Sequence, residues 1–98
     1  MKDKAQKLIE KYEELESELG NPDVLADQAR YNKIHKQYKG IEKAVLKAKE
    51  YLQLVNDLAE YKAALGDPDP EMVAMAKAEI SDIEKKLPGV TDELQILM

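Results

Sequence analysis

Cysteine, tryptophan and phenylalanine are absent from this chain of 98 residues, and glycine and proline occur only four times each. Without cysteine, the chain can form no disulfide framework, no thiolate metal site and no cysteine nucleophile. The residues after Met1 are charged, and no apolar run is long enough for a signal peptide or a membrane span. We therefore expect a cytoplasmic protein that has no membrane partner.

Charged residues make up 36% of the chain, and the formal net charge is -5. A composition rich in alanine, glutamate, lysine and leucine is typical of long helices that face water. No segment shows the alternation of apolar and polar residues that a half-buried strand requires. The sequence therefore indicates a purely helical chain without a general affinity for nucleic acid, although a local basic patch remains compatible with its net charge.

Apolar residues recur at alternating steps of three and four along three segments of the chain. This spacing predicts helices over about 2–19, 27–65 and 70–97, with a short loop over 21–26. Proline removes a helical hydrogen bond and clashes with the preceding turn, so a kink is expected near 88–89. The prediction is thus one short helix followed by two long ones.

The apolar stripes keep a period near 3.5 residues, which favours helices packed in a left-handed supercoil. We therefore predict an all-α fold, a three-helix antiparallel coiled-coil-like bundle. A compact turn between the two long helices would place Ala48 opposite Leu87. The short helix would cover only the first half of its neighbour, so the two long helices would project as a hairpin over about 46–65.

Residues able to carry catalysis are scarce. The chain has one histidine, two serines and one threonine, too few for a nucleophile with its base and orienting group. His35 flanks the apolar stripe of the second helix with no second histidine or cysteine to complete a metal site. We therefore expect no enzyme activity, no catalytic residue, no metal site and no cofactor.

Basic residues are concentrated in one part of the second predicted helix. Between Arg30 and Lys49 the chain holds seven basic residues and one acid, Glu42. At about 100° per residue, four of them share a narrow arc opposite the apolar stripe. We call these four the basic ridge: Lys36, Lys39, Lys43 and Lys47. Like charges at this spacing repel, so the ridge is either a solvated face or a contact for RNA phosphate or an acidic protein surface.

A second apolar stripe lies on the same helix, roughly opposite the first and beyond the reach of the short helix. We call it the tip stripe: Leu54, Leu58, Tyr61 and Leu65. Three interpretations are open, namely packing against the flank of the third helix, self-association of an isolated fragment, and docking of another protein or domain.

Three segments resemble the N-terminal domain of bacterial class I peptide chain release factors. They are LGNPDVLAD at 19–27, PEMVAMAKAEI at 70–80, and LQILM at 94–98, which is similar to the leucine-rich run before the next domain in that family. The resemblance spans essentially the whole chain. It favours the factor type that reads UAA and UAG over the type that reads UGA.

The resemblance implies a non-catalytic domain that contacts the stalk base of the large ribosomal subunit, with its rRNA and an associated ribosomal protein, and the class II release factor GTPase. The codon-reading and catalytic domains would be later ones, absent from this chain. The family gives no residue motif that transfers to the basic ridge or to the tip stripe. Two other interpretations remain, a prefoldin-like hairpin that holds non-native chains and a purely structural coiled-coil module.

Overall fold

A computed structural model describes residues 1–98, of which 88% are helical, with no strand. The prediction of an all-α fold is confirmed. The helices are α1 (Lys2–Leu19), α2 (Pro22–Leu25), α3 (Gln28–Gly40), α4 (Glu42–Ala64) and α5 (Pro70–Leu97). None of them is both long and apolar enough to cross a bilayer.

The short helix α2 occupies the segment that the sequence predicts as a loop. The side chain of Asn21 caps it by accepting a hydrogen bond from the Asp23 N–H at 2.9 Å, as polar residues at this position commonly do. Val24 is fully buried in a core cluster with Leu15 and Ile34. The turn between α1 and α3 therefore contributes an apolar side chain that closes one end of the molecule.

The single helix predicted over 27–65 is wrong, because α3 and α4 are separated at Ile41. This residue stays in the right-handed region but away from ideal helical angles, with φ at -102° and ψ at 0°. Gly40 immediately precedes it, and glycine destabilises a helix interior by about 1 kcal/mol relative to alanine. A Cβ at Gly40 would meet nothing within 4 Å, so the break reflects low helix propensity and no steric requirement.

Helices α3 and α4 form a long spine on which α1 and α5 pack at different ends. Helix α1 runs antiparallel to α3 and reaches the first turns of α4, whereas α5 packs along α4 and its backbone stays clear of α1 and α3. The ends meet at one cluster, the three-helix junction, formed by the fully buried Ala5, Ala48 and Leu94. The molecule is therefore a rod of 61 × 26 × 17 Å that has three helices side by side only around this junction.

The predicted register between α4 and α5 is wrong by one heptad. Ala48 shares its cluster with Leu94, where the sequence predicts Leu87. The Nζ of Lys47 lies 2.7 Å from a carboxylate oxygen of Glu93, which supports the same alignment. A shift of one heptad still sets apolar stripe against apolar stripe, so the pattern alone is compatible with both registers.

The turn between α4 and α5 accounts for this difference. The prediction assumed a compact turn, in which the second predicted helix ends and the third begins at the same level along the hairpin. With the observed register, the connection over 65–69 extends past the end of α4 before α5 starts, so that only the first turn of α5 lies beyond α4. Met72 and Met75 are 41% and 42% exposed, whereas Ala76 beside them is fully buried.

Helix α5 continues without a break through Pro88 and Gly89. Pro88 has no N–H, so the helical hydrogen bond that it would donate to Glu84 is missing. One turn further on, the hydroxyl of Thr91 donates to the carbonyl of Leu87 at 2.8 Å. The proline thus removes one hydrogen bond without ending the helix.

Two tyrosines stack where α1 meets α3. The ring centroids of Tyr12 and Tyr38 are 4.3 Å apart, with 16° between the ring planes. The Tyr38 hydroxyl donates to the carboxylate of Glu16 at 3.4 Å. The neighbouring Tyr12 hydroxyl, partial burial and the charge of Glu16 together raise the pKa of Tyr38 to about 12.

Candidate docking surfaces

The basic ridge crosses the break between α3 and α4. Lys36 and Lys39 lie on α3, and Lys43 and Lys47 lie on α4. The first three are exposed, and Lys47 is half-buried. The four side chains thus differ in surroundings despite their regular spacing.

Lys47 is engaged within the protein. Its Nζ lies 2.7 Å from Glu93 on α5 and 2.9 Å from Glu50 on its own helix, and its side chain is only 23% exposed. The hydrogen bonds to Glu93 and then to Glu50 raise the pKa of Lys47 above its ordinary value. Lys47 therefore joins α4 to α5 and is not a free member of the ridge.

The other three members keep most of their charge available. Lys39 lies 3.2 Å from Glu42, with the two side chains 58% and 41% exposed, and an exposed pair of this kind contributes at most about 1 kcal/mol. Lys36 and Lys43 have no carboxylate within ion-pair distance. The ridge that can meet a partner consists of Lys36, Lys39 and Lys43.

Helix α3 adds two more exposed cations that the predicted ridge leaves out, Arg30 and Lys33. Their signal was present in the sequence, because Gln28–Gly40 contains four basic residues, one histidine and no acid. Arg30 and Lys33 lie outside the narrow arc of the ridge. Three residues turn a helix by only about 300°, so each step of three places the next side chain further around the helix. His35 in the same helix stacks on Tyr31, with ring centroids 6.0 Å apart.

The tip stripe is mostly covered. Leu54, Leu58 and Tyr61 are half-buried, and only Leu65 is exposed, at 39%. Four α5 residues line a shallow depression of about 330 Å³ together with Leu58: Glu84, Leu87, Pro88 and Thr91. At least part of the tip stripe therefore faces α5.

The two apolar stripes of α4 differ in exposure near the end of the hairpin. Continued along α4 at a period of 3.5 residues, the predicted core stripe would include Ala59. Ala59 is exposed, while Leu58 and Tyr61 are half-buried. The face of α4 that meets α5 near the end of the hairpin therefore includes Leu58 and Tyr61.

Apolar exposure at the end of the hairpin comes from a different set of residues. Leu65, Met72 and Met75 are between 39% and 42% exposed, and the two methionines lie in the first two turns of α5. The predicted tip stripe leaves the methionines out because it was defined on the second predicted helix alone. Elsewhere, no three histidine, aspartate or glutamate side chains come together in a way that could hold a metal ion.

Comparison with known proteins gives a consistent result. The PCRF domain family matches residues 8–98. The chain is 41% identical over 95 residues to peptide chain release factor 1 of Oleidesulfovibrio alaskensis, which covers 97% of this chain and 27% of that protein. It is 33% identical over 98 residues to peptide chain release factor 1 of Acidobacterium capsulatum, covering 100% of this chain and 27% of that protein.

A third relative, peptide chain release factor 1 of Parabacteroides distasonis, is 34% identical over 92 residues, which covers 93% of this chain and 25% of that protein. The chain thus spans about a quarter of the length of the curated relatives it matches. No solved structure gives a significant match. The resemblance drawn from the sequence is confirmed by these comparisons, and the relatives carry the name of the predicted factor type.

Proposed function

The chain belongs to the PCRF domain family, and we propose that it is the non-catalytic N-terminal domain of a bacterial translation termination factor. The observation that carries this proposal is the 41% identity to a peptide chain release factor 1 across 97% of the chain. Because the chain covers 27% of that relative, stop-codon-dependent peptide release would require the remainder of such a factor. On the same resemblance, the factor would read UAA and UAG and act in the cytoplasm.

We propose further that this domain docks to the base of the ribosomal stalk, through rRNA and a ribosomal protein, or to the class II release factor GTPase. The exposed lysines of the basic ridge support an anionic contact. Lys36 and Lys43 have no acidic partner, and Lys39 could exchange Glu42 for a phosphate at little cost because an exposed ion pair is weak. Lys47 does not enter this contact, because Glu93 and Glu50 already bind it.

The end of the hairpin is the second candidate contact in the same function. Leu65 is the one exposed member of the tip stripe, and Met72 and Met75 extend the apolar surface. A prefoldin-like holding function receives less support, since it needs an open apolar stripe and most of the tip stripe is half-buried.

Cosedimentation with 70S ribosomes at low and moderate salt tests the docking proposal. The ridge variant Lys36→Glu/Lys43→Glu should weaken binding by about tenfold or more, because each lysine that contacts a phosphate contributes to a salt-dependent affinity. The matched control is Lys62→Glu/Lys77→Glu, which reverses the same number of exposed charges near the hairpin end.

The two variants separate the possible results. Binding that is lost in the ridge variant and kept within twofold in the control would support the ridge. Equal losses in both would attribute the effect to net charge and contradict a ridge contact. Complete absence of binding by the unmodified chain, at either salt concentration, would contradict docking by this domain on its own.

A further inference from the structure

We propose that Gly40 and Ile41 form a hinge in the spine, and that the first half of α1 is a latch that holds this hinge closed. The α4–α5 hairpin would then turn as one unit relative to the α1–α3 end of the rod. Three observations carry the proposal: the local conformation, the separation of the packing units, and the way α1 bridges them.

The local conformation offers a site of low helix stability without another structural role. Ile41 deviates from ideal helical angles, with φ at -102° and ψ at 0°, while remaining in the right-handed region. Gly40 does not adopt a positive φ, and an added Cβ would meet no atom within 4 Å. Neither turn geometry nor close packing therefore requires glycine here, and its effect is to weaken the helix at this point.

Packing is separate on the two sides of the hinge. Helix α2 contacts α1 and α3, whereas α5 contacts α4 and does not contact α3. Besides the backbone connection between α3 and α4, only α1 links the two helices, because no other helix packs against both. The angle between the two ends of the rod is thus controlled by the contacts of α1.

Helix α1 divides its contacts between the two units. Its second half holds α3, where Leu15 clusters with Ile34. Its first half holds the hairpin through Ala5, which is fully buried with Ala48 and Leu94 in the three-helix junction. Release of this first half alone would free the hairpin while the α1–α3 contacts remain.

A small rotation at this point would move the hairpin end considerably. The 23 residues of α4 extend about 35 Å from the hinge, so each 10° of rotation displaces the far end of α4 by about 6 Å. Lys36 and Lys39 lie before the hinge and Lys43 lies after it. Rotation would therefore also change the distances between charges of the basic ridge.

Distances between pairs of spin labels test the hinge directly, because the chain has no cysteine of its own. One label pair replaces the exposed Lys33 and Lys62, on either side of the hinge. The control pair replaces Lys49 and Lys62, both within α4. Ala5→Asp opens the latch by placing a charge in the junction, and Gly40→Ala stiffens the hinge.

In the unmodified chain, both label pairs should give narrow distance distributions. Ala5→Asp should broaden the Lys33–Lys62 distribution at least twofold and leave the Lys49–Lys62 distribution unchanged. Adding Gly40→Ala to Ala5→Asp should return the broadened distribution to its original width. This last result distinguishes a hinge at Gly40 from a general loosening of the fold.

Two results would overturn the proposal. One is a Lys33–Lys62 distribution that stays narrow in Ala5→Asp, which would show a fixed bend. The other is a broadened distribution that Gly40→Ala does not narrow. If the control pair broadens as well, the variant has lost its fold, and the milder Leu8→Ala takes its place under the same criteria.

Discussion

The two halves of α4 are similarly rich in apolar residues and have different surroundings. In the first half, Ala44, Val45 and Ala48 are at most 5% exposed. In the second half, from Leu54 to Ala64, no side chain is fully buried. The first half has α1 and α5 as neighbours, whereas the second half has α5 alone.

This difference shows that, along α4, burial depends on the number of neighbouring helices more than on the hydrophobicity of the residue. The inner face of α5 stays buried in the hairpin, where Ala76 and Ile83 are at most 5% exposed. Leu54 and Leu58 are larger and more apolar than Ala44 and Ala48, yet they are the half-buried ones. A pair of helices leaves both flanks of its contact open to water, and a third helix closes one of them. We therefore expect the free energy of folding to be concentrated at the three-helix junction.

Substitution of one leucine in each region gives the largest expected contrast. Leu94→Ala removes a side chain with 0% exposure and should lower the free energy of unfolding by about 3 kcal/mol. Leu58→Ala removes a half-buried side chain at the edge of a surface depression and should lower it by about 1 kcal/mol. Urea titration followed by circular dichroism measures both values. Equal losses would show that the hairpin contributes as much as the junction.

A glycine in α5 provides a way to strengthen the hairpin half. Gly89 lies inside the helix without a positive φ, and a Cβ there would meet nothing within 4 Å. Gly89→Ala should therefore raise the free energy of unfolding by about 0.5–1 kcal/mol. The reverse change at an exposed alanine of the same helix, Ala78→Gly, should lower it by a similar amount. A destabilised Gly89→Ala variant would mean that the helix needs glycine after Pro88.

The ion pair of Lys47 connects the junction to the end of α5, and its removal should have a smaller effect. Lys47→Gln should lower the urea midpoint, because the charge of Glu93 would lose its partner. Lys43→Gln should leave the midpoint unchanged, since Lys43 forms no ion pair. The difference between the two variants should shrink in high salt. Identical midpoints in low salt would contradict a structural role for Lys47.

The stacked tyrosines give a test that is specific to the α1–α3 end. The pKa of Tyr38 is raised from an ordinary 10.0 to about 12, so the folded chain retains this proton to higher pH than the unfolded chain. The resulting stabilisation is complete below pH 10 and disappears as the pH rises to about 12. Urea midpoints measured across this interval should fall more steeply for the unmodified chain than for Tyr38→Phe. Parallel curves for the two proteins would show that Tyr38 has no such linkage.

Much of the helical structure could be predicted from local signals. The observed α1 runs from Lys2 to Leu19 and the observed α5 from Pro70 to Leu97, because glycine, proline and capping aspartate mark their ends. The break at Ile41 was missed because a single glycine within a periodic pattern usually leaves a helix intact. The register was missed because heptads repeat, so that only the shape of the turn decides between alignments.

The sequence predicted where the basic and apolar surfaces lie better than it predicted which of their residues are exposed. The excess of basic residues on the second predicted helix is a property of the sequence, and three of the four ridge lysines are exposed. Lys47 required the tertiary structure, because its partner Glu93 is remote in sequence. The half-burial of the tip stripe also required the tertiary structure, because it depends on how α5 lies against α4.

The heptad register of the hairpin also makes its length adjustable. Insertion of seven residues into α4 and seven into the facing part of α5, beyond the three-helix junction, would preserve every contact between apolar stripes below the insertion. Each such step would lengthen the hairpin by about 10 Å and leave the α1–α3 end unchanged. The length of the hairpin could thus change in steps of one heptad without a change in the rest of the domain.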